Sequence, residues 1–230
     1  MKSFLQFCFA ACCLACIGQA QAAIYTLRTT GTFYQGFDSQ GYFGGGDLTG
    51  RSVDWTQLFD TSGSSQLDVS SSSLLRGSAA FGSLSVGGIP LTDVPIGGHY
   101  DLYLSNGVTS GGPGPNDELS GFTFANYSGS DVTFVGYSSV YSSVNSFVPS
   151  RDFSQTLTRH PMTGDAKTGV VQWNKNVGGV NIGTYGYFTI DTITYNGVTA
   201  VPEPETYAML LAGLGFIGVM ARRRNRKAAA

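Results

Sequence analysis

The sequence predicts an all-β protein whose body is an antiparallel β-sandwich of jelly-roll type, with one helical segment at each end of the chain. Short segments of the body alternate apolar and polar residues, and glycine-rich turns separate them. The body is rich in Gly, Ser, Thr, Tyr, Phe and Val and poor in the good helix formers Lys, Glu and Ala. No long amphipathic helical pattern occurs in it, so two packed sheets are the expected architecture.

The first helical segment, residues 1–22, is a predicted secretory signal peptide. After a basic start, an apolar run extends over residues 4–17, and Ala20 and Ala22 provide the small-residue pattern that signal peptidase cleaves. Cleavage is expected before Ala23. The partners implied by this segment are the Sec translocon and signal peptidase.

All four cysteines of the chain lie in this signal segment, at Cys8, Cys12, Cys13 and Cys16. The mature chain then contains no thiol, which excludes disulfides, thiol catalysis and thiolate metal ligands. A lipoprotein signal ending at Cys16 is an alternative, although Leu14 stands one position off the usual spacing.

The predicted body, residues 23–200, contains five segments with a clear strand pattern, in which alternation places large apolar side chains on one shared face. These segments and their shared-face residues are 52–60 (Val53, Trp55, Phe59), 99–105 (Tyr100, Leu102, Leu104), 119–127 (Phe122, Phe124), 131–137 (Val132, Phe134) and 184–196 (Tyr185, Tyr187, Ile193, Tyr195). Turns are predicted at 44–47, 87–88, 111–116 and 196–197, and the polar stretch 61–73 is a predicted loop.

The body carries seven basic and thirteen acidic side chains, a net charge near −6, and its basic residues do not cluster. Nucleic acids bind to electropositive surfaces, so nucleic acid is excluded as a partner. A body of about 180 residues is long enough for one domain with a substantial core.

The C-terminal segment has three parts: an extended hinge at 201–206, an uncharged run at 207–221 and a basic end at 222–230. Pro202 and Pro204 prevent a helix from beginning within the hinge. As a helix the uncharged run spans about 22 Å, against a hydrocarbon core of about 30 Å, and it is a predicted short transmembrane helix. Positive charge after it predicts a cytoplasmic C-terminus. The basic residues are Arg222, Arg223, Arg224, Arg226 and Lys227.

This tail resembles the PEP-CTERM sorting domain of Gram-negative bacteria. Pro202-Glu203-Pro204, the glycine-containing apolar run and the arginine cluster match its parts in order and spacing. The resemblance implies recognition by an exosortase-type membrane protease, which removes the tail and releases or transfers the protein outward. It also implies a role with exopolysaccharide, biofilm or floc. An ordinary membrane anchor that follows a proline hinge is the alternative.

The start of the body carries a second resemblance. A turn pattern G-x-D-x-x-G-x-F-G over residues 36–44 precedes Asp47-Leu48-Thr49-Gly50. Together they look like an opening found in many PEP-CTERM proteins. This resemblance supports the family and the fold, and it implies no activity.

Candidate catalytic residues are few. His99 lies in a predicted strand with Asp101 and Tyr103 on its face, but no serine stands in a nucleophile elbow to complete a Ser-His-Asp set. His160 is a predicted loop residue. We therefore expect no enzyme, and a hydrolase that uses His99 or Glu118 ranks last among the hypotheses.

No metal site is predicted, because two histidines without a mature cysteine cannot form a three-histidine zinc site. Asp38, Asp47, Asp117 and Glu118 lie in or near glycine-rich loops and offer oxygen ligands for Ca²⁺. Their spacing matches no EF-hand or nonapeptide repeat, and an aspartate in a turn also bonds to its own backbone. No cofactor is expected, and Ca²⁺ stays an open alternative.

Aromatic side chains supply the stacking surfaces that sugar-binding sites use. Packing in the core or across strands is the alternative role for each of them. The candidates are Trp55, Trp173, Tyr100, Tyr103, Tyr137, Tyr141, Tyr185 and Tyr187.

The leading hypothesis is a non-enzymatic exported protein. It passes through the inner membrane with its body in the periplasm and ends on the cell surface or in the extracellular matrix, where exopolysaccharide is the expected partner. The alternative is a carbohydrate-binding module that Ca²⁺ assists.

Overall fold

The computed structural model describes residues 24–61, 64–69, 72–92, 98–107, 117–126, 132–177 and 180–197. None of these residues forms a helix that is long and apolar enough to cross a membrane. The strands within them are β1 (Ile24–Asp38), β2 (Gly46–Asp47), β3 (Ser52–Asp60), β4 (Ser65–Val69), β5 (Ser72–Val86), β6 (Ile89–Pro90), β7 (Gly98–Ser105), β8 (Asp117–Asn126), β9 (Val132–Ser142), β10 (Thr156–Arg159), β11 (Asp165–Val177) and β12 (Val180–Gly197).

The strands form one antiparallel sheet that closes on itself. The long strands lie in the order β1, β3, β5, β7, β8, β9, β11 and β12, and β12 pairs again with β1. Each long strand thus pairs with the next long strand along the chain, so the sheet contains no crossover between distant strands apart from the closing pair β12 and β1. Among the short strands, β2 pairs with part of β1, both β4 and β6 pair with parts of β5, and β10 pairs with part of β12.

The all-β antiparallel prediction is confirmed, but the predicted jelly-roll connectivity is wrong. A jelly roll joins two sheets by Greek-key crossovers, whereas this sheet is a continuous meander. Opposite sides of the closed sheet form two layers that face each other across the core, and β5 changes its neighbour along its length. Residues 79–86 of β5 pair with β3, and residues 72–78 pair with β7.

The five predicted strands are present, and β3 has its predicted bounds of 52–60. The polar stretch 61–73 is not a loop throughout, because Ser65–Val69 forms β4 and pairs with the first residues of β5. Backbone hydrogen bonds hold this hairpin whatever its side chains are. The strand β11 lacked a prediction because its hydrophobic pattern is broken by Gly, Lys and Asn.

The core lies inside the closed sheet and is rich in aromatic rings. Trp55 of β3 contacts Phe134 of β9, with ring centroids 5.9 Å apart, and Phe134 contacts Trp173 of β11 at 4.9 Å. These contacts join the two layers. Buried polar groups pair inside the same core, where Gln57 donates to Thr123 Oγ1 at 2.9 Å and accepts from Ser138 Oγ at 3.1 Å.

Residues Ala23–Thr199 form one compact unit. The predicted signal peptide 1–22, the hinge 201–206, the transmembrane helix 207–221 and the basic tail 222–230 lie outside the described residues.

Candidate functional site

The predicted sorting and cleavage residues lie outside the described residues. These are the signal-cleavage residues Ala20, Ala22 and Ala23, the hinge residues Pro202, Glu203 and Pro204, and the basic residues Arg222, Arg223, Arg224, Arg226 and Lys227. The geometry of the body therefore decides only the catalytic, metal and aromatic candidates.

His99 lies on the outer face of β7, and Asp101 and Tyr103 share that face as predicted. Arg76 of β5 holds the Asp101 carboxylate in a two-bonded ion pair, with Nε–Oδ1 at 2.7 Å and Nη2–Oδ2 at 2.9 Å. The His99 ring stacks instead on Phe124, at 5.2 Å between centroids. The carboxylate that a catalytic histidine needs is thus held by an arginine.

His160 lies outside the strands, immediately after β10, as the sequence predicts. Its Nδ1 lies 2.9 Å from Thr192 Oγ1, and its side chain is exposed. The other candidate histidine therefore pairs with a neutral hydroxyl.

Asp38, a Ca²⁺ candidate, is a buried carboxylate that organises the glycine-rich loop after β1. Its two oxygens accept the amides of Gly41, Tyr42, Phe43 and Gly45 at 2.7 to 3.1 Å, besides the hydroxyl of Thr184 at 2.9 Å. Burial by itself raises the pKa of Asp38, but these hydrogen bonds outweigh it and lower the pKa below its usual value. The spacing of Asp and Gly in residues 36–44 thus has a structural explanation.

The other three carboxylates also have protein donors. Asp117 is fully buried and accepts from Gly107 N at 2.7 Å, Val148 N at 2.7 Å, Ser146 Oγ at 3.0 Å and Phe147 N. Asp47 accepts from Thr49 N at 2.8 Å, and Ser139 Oγ donates to Glu118 at 3.2 Å. Within the described part of the chain, no three His, Asp or Glu side chains come together as a metal-binding group.

Three of the eight aromatic candidates are core residues. Trp55, Trp173 and Tyr100 have no exposed surface, so the predicted sugar-stacking role is wrong for them. Tyr100 donates its hydroxyl to the Asp60 carbonyl at 2.7 Å, and burial raises its pKa to about 12. Large amphipathic rings at alternate strand positions served packing here rather than binding.

Other aromatic rings point outward and form a continuous surface, which we call the outer aromatic face. Val170 of β11 pairs with Tyr187 of β12 on one side and with Tyr137 of β9 on the other. Tyr137 pairs in turn with Phe122 of β8. A second, adjacent row contains Tyr185 and Phe124. The outer aromatic face consists of Tyr34, Phe37, Phe122, Phe124, Tyr137, Tyr185 and Tyr187.

Two irregularities in the β1–β12 pairing explain why the sequence misplaced part of this face. Thr30 pairs with Thr192 and Gly31 with Ile190, so Asp191 is an extra residue in β12. One extra residue reverses which side chains point inward. Tyr185 and Tyr187 therefore point outward, while Ile193 and Tyr195, of the same parity, are buried.

A second extra residue, in β1, is an exposed tyrosine that was not among the candidates predicted from the sequence. Phe33 pairs with Phe188 and Gln35 with Tyr187, which leaves Tyr34 as the extra residue of β1. Its side chain is 54% exposed. Phe122 and Phe124 share a face as predicted but point outward, because the smaller alternate residues of β8 face the crowded core.

The C-terminal segment identifies the kind of sorting signal that the chain carries. A model of the PEP-CTERM protein-sorting motif matches residues 200–224. The chain carries a PEP-CTERM sorting motif. The recognition made from Pro202-Glu203-Pro204 and the arginine cluster is confirmed.

The PEP-CTERM match includes the hinge, the apolar run and the first three arginines, whereas Arg226 and Lys227 follow it. No curated protein and no solved structure matches the chain. The PEP-CTERM motif implies that the protein is exported to the cell envelope or surface and processed by an exosortase.

Proposed function

We propose that this protein is a non-enzymatic component of the cell surface or extracellular matrix, associated with exopolysaccharide or biofilm. The PEP-CTERM motif at residues 200–224 is the observation that carries the proposal. The Sec translocon and signal peptidase export the chain and remove residues 1–22. The body then stands in the periplasm while residues 207–221 hold it briefly in the inner membrane, until the exosortase removes the tail.

The side chains of the body support a non-enzymatic role. Asp101 is bound by Arg76, and backbone amides surround the carboxylates of Asp38 and Asp117. A general acid or base needs a carboxyl or imidazole group that can reach a substrate. These carboxylates instead fix strands and loops.

Mass spectrometry of the protein recovered from its host tests the sorting proposal. Intact mass and the C-terminal peptide are measured in the inner-membrane, surface and medium fractions. We expect a surface or medium form that begins near Ala23 and ends near Pro202-Glu203-Pro204. A variant that lacks residues 202–230 should lose surface delivery, whereas one that lacks only the final residues 228–230 should keep it. Unchanged surface delivery without residues 202–230 would contradict the proposal.

A second candidate function is carbohydrate binding, which the outward-pointing aromatic rings favour. The five predicted stacking residues outside the core, Tyr103, Tyr137, Tyr141, Tyr185 and Tyr187, have at least part of their side chains exposed. Binding of the full chain to a glycan array, with Ca²⁺ and with a chelator, tests this function. Absence of any bound glycan in both conditions would exclude it.

A further inference from the structure

The rings of the outer aromatic face are ordered in rows, and several of them are highly exposed; core packing requires neither property. Its rings lie in two adjacent rows that run across β1, β12, β11, β9 and β8, at right angles to the strands. Neighbouring strands are about 4.8 Å apart, so rings on alternate strands, such as Tyr187 and Tyr137, lie about 10 Å apart. This is close to the length of a disaccharide unit in an extended polysaccharide.

The most exposed rings are concentrated at the end of these rows where β1 and β12 pair. Tyr34 is 54% exposed, Phe37 48% and Tyr187 36%. The ring centroids of Tyr34 and Tyr187 are 6.4 Å apart, with the rings tilted by 34°, and those of Tyr185 and Tyr187 are 6.1 Å apart in an edge-to-face contact. A contiguous exposed aromatic surface of this kind is typical of a binding site.

The extra residues Tyr34 and Asp191 create this concentration. A bulge disrupts the regular pairing of two strands and redirects the side chains around it. Here the extra residue of β12 turns Tyr185 and Tyr187 outward, and the extra residue of β1 is itself an exposed tyrosine. Both departures from regular pairing therefore add aromatic surface at one place.

The charges in the two rows identify the class of ligand. Arg76 and Asp101 are the charged side chains in register with Phe122, and they neutralise each other. The amides of Gln35 and Gln172 lie in the rows between the rings, opposite Tyr187 and Tyr185. The exposed Asp47 carboxylate lies opposite Phe37 and the His99 ring stacks on Phe124, at the two ends of the second row. Among the described residues the rows contain no lysine or arginine without an acidic partner, which an acidic polymer or an anionic lipid would need. The body as a whole, near −6, repels such ligands.

We propose that the outer aromatic face binds a neutral polysaccharide, whose chain runs along the row that contains Tyr187 and Tyr137 and stacks its sugar rings on Tyr34, Tyr187 and Tyr137, beside Tyr185. The tyrosine hydroxyls and the glutamine amides donate to and accept from the sugar hydroxyls. This inference rests on the carbohydrate-binding function proposed above and names its site and its ligand class.

Affinity electrophoresis of the full chain in mild detergent tests the site. The probes are two neutral polysaccharides, hydroxyethylcellulose and galactomannan, and one anionic polysaccharide, alginate. The double variant Tyr34→Ser/Tyr187→Ser should have an affinity for the neutral probes that is lower by about tenfold or more, as expected when aromatic contact residues are truncated. Tyr187→Phe, which keeps the ring, should keep most of the binding.

Tyr141→Ser is the matched control, because Tyr141 is 37% exposed and Tyr187 is 36% exposed. Tyr141 lies four residues along β9 from Tyr137, about 14 Å outside the nearer row. The tryptophan fluorescence of every variant reports its folding, since Trp55 and Trp173 are both buried.

The outcomes separate the site from the function. Binding to neutral probes that the double variant leaves unchanged would overturn the site and leave carbohydrate binding intact. Binding to alginate alone would overturn the ligand class. Retention by none of the probes would overturn the inference, and the glycan array then decides the function. Sedimentation that shows a dimer dissociated by the double variant would assign the face to self-association instead.

Discussion

A Cβ atom on Gly136 would lie 2.3 Å from Cη2 of Trp55, so this glycine of β9 is the space into which the tryptophan of β3 fits. Real Cβ atoms essentially never make a non-bonded contact with another heavy atom at so short a distance. The contact spans the core from one layer of the closed sheet to the other. Trp55, like Trp173, is one of the two largest side chains of the core and has no exposed surface.

Gly136→Ala should lower the free energy of unfolding by about 2 kcal/mol, because a methyl group added to a packed core forces its neighbours to shift. Chemical denaturation monitored by circular dichroism measures the change. Thr168→Ala, on the exposed face of β11, is the control and should change stability by less than about 0.5 kcal/mol. In the double variant Gly136→Ala/Trp55→Phe the two effects should be less than additive. Full additivity would contradict the steric explanation.

Asp38→Asn should destabilise the protein by about 3 kcal/mol at pH 7, because an amide cannot replace both oxygens of a buried carboxylate that accepts several amides. The pKa of Asp38 is lowered in the folded state. Its contribution is therefore complete above the unfolded pKa and is lost as the pH falls through the folded pKa. Asp47→Asn, at an exposed carboxylate, is the control and should cost less. Equal costs for the two variants would show that the loop does not depend on Asp38.

Asp165 and Arg159 form a buried ion pair at 2.5 Å, with Asn145 Nδ2 and Met162 N as further donors to the carboxylate. Burial raises the pKa of Asp165, but the hydrogen bonds and the arginine lower it well below its usual range. Asp165→Asn should therefore reduce stability strongly at pH 7 and progressively less as the solution is acidified below about pH 4. Urea denaturation across this pH range measures the difference.

Arg28→Gln provides the comparison for this ion pair, since Arg28 and Asp54 form an exposed pair at 2.6 Å. Solvent screens exposed charges, so its loss should cost far less than the loss of the buried pair. A pH-independent effect of Asp165→Asn would contradict the assignment of the stabilisation to the ionised carboxylate.

Glu118→Gln should make the protein more stable at pH 7. Burial raises the pKa of Glu118, although Ser120 and Ser139 hydrogen bond to it and oppose the rise. A raised folded pKa means that the folded state holds the proton more tightly, so the ionised side chain destabilises the fold above that pKa. The gain should vanish as the pH falls below the usual glutamate pKa of about 4.3. Thermal unfolding at pH 4 and pH 7 checks this, and a loss of stability at pH 7 would contradict it.

Alternation in the sequence predicted β3 with its bounds and the inward positions of Tyr100, Leu102 and Leu104 on β7, because regular strands repeat every two residues. The same rule failed on β12. Its period was interrupted by the extra residue Asp191, whose position depends on pairing with β1, far away in the sequence. Local pattern cannot reveal a bulge that a distant strand imposes.

The roles of the carboxylates were equally beyond the sequence. Asp38 and Asp117 looked like Ca²⁺ ligands because oxygen-rich, glycine-rich loops attract both cations and backbone amides. The structure supplies amides from the same loop to Asp38 and from a segment thirty residues later to Asp117. Which donor reaches a carboxylate is a property of the folded chain.

The sequence alone determined the sorting motif and the all-β class, since each is a local pattern of charge, hydrophobicity and turn residues. Only the tertiary structure decided that the sheet closes, that Trp55 and Trp173 fill its core, and that Tyr34, Tyr185 and Tyr187 face outward. These outcomes follow from the pairing of β1 with β12, which joins the two ends of the body. Contacts between residues so far apart are set by packing of the whole chain.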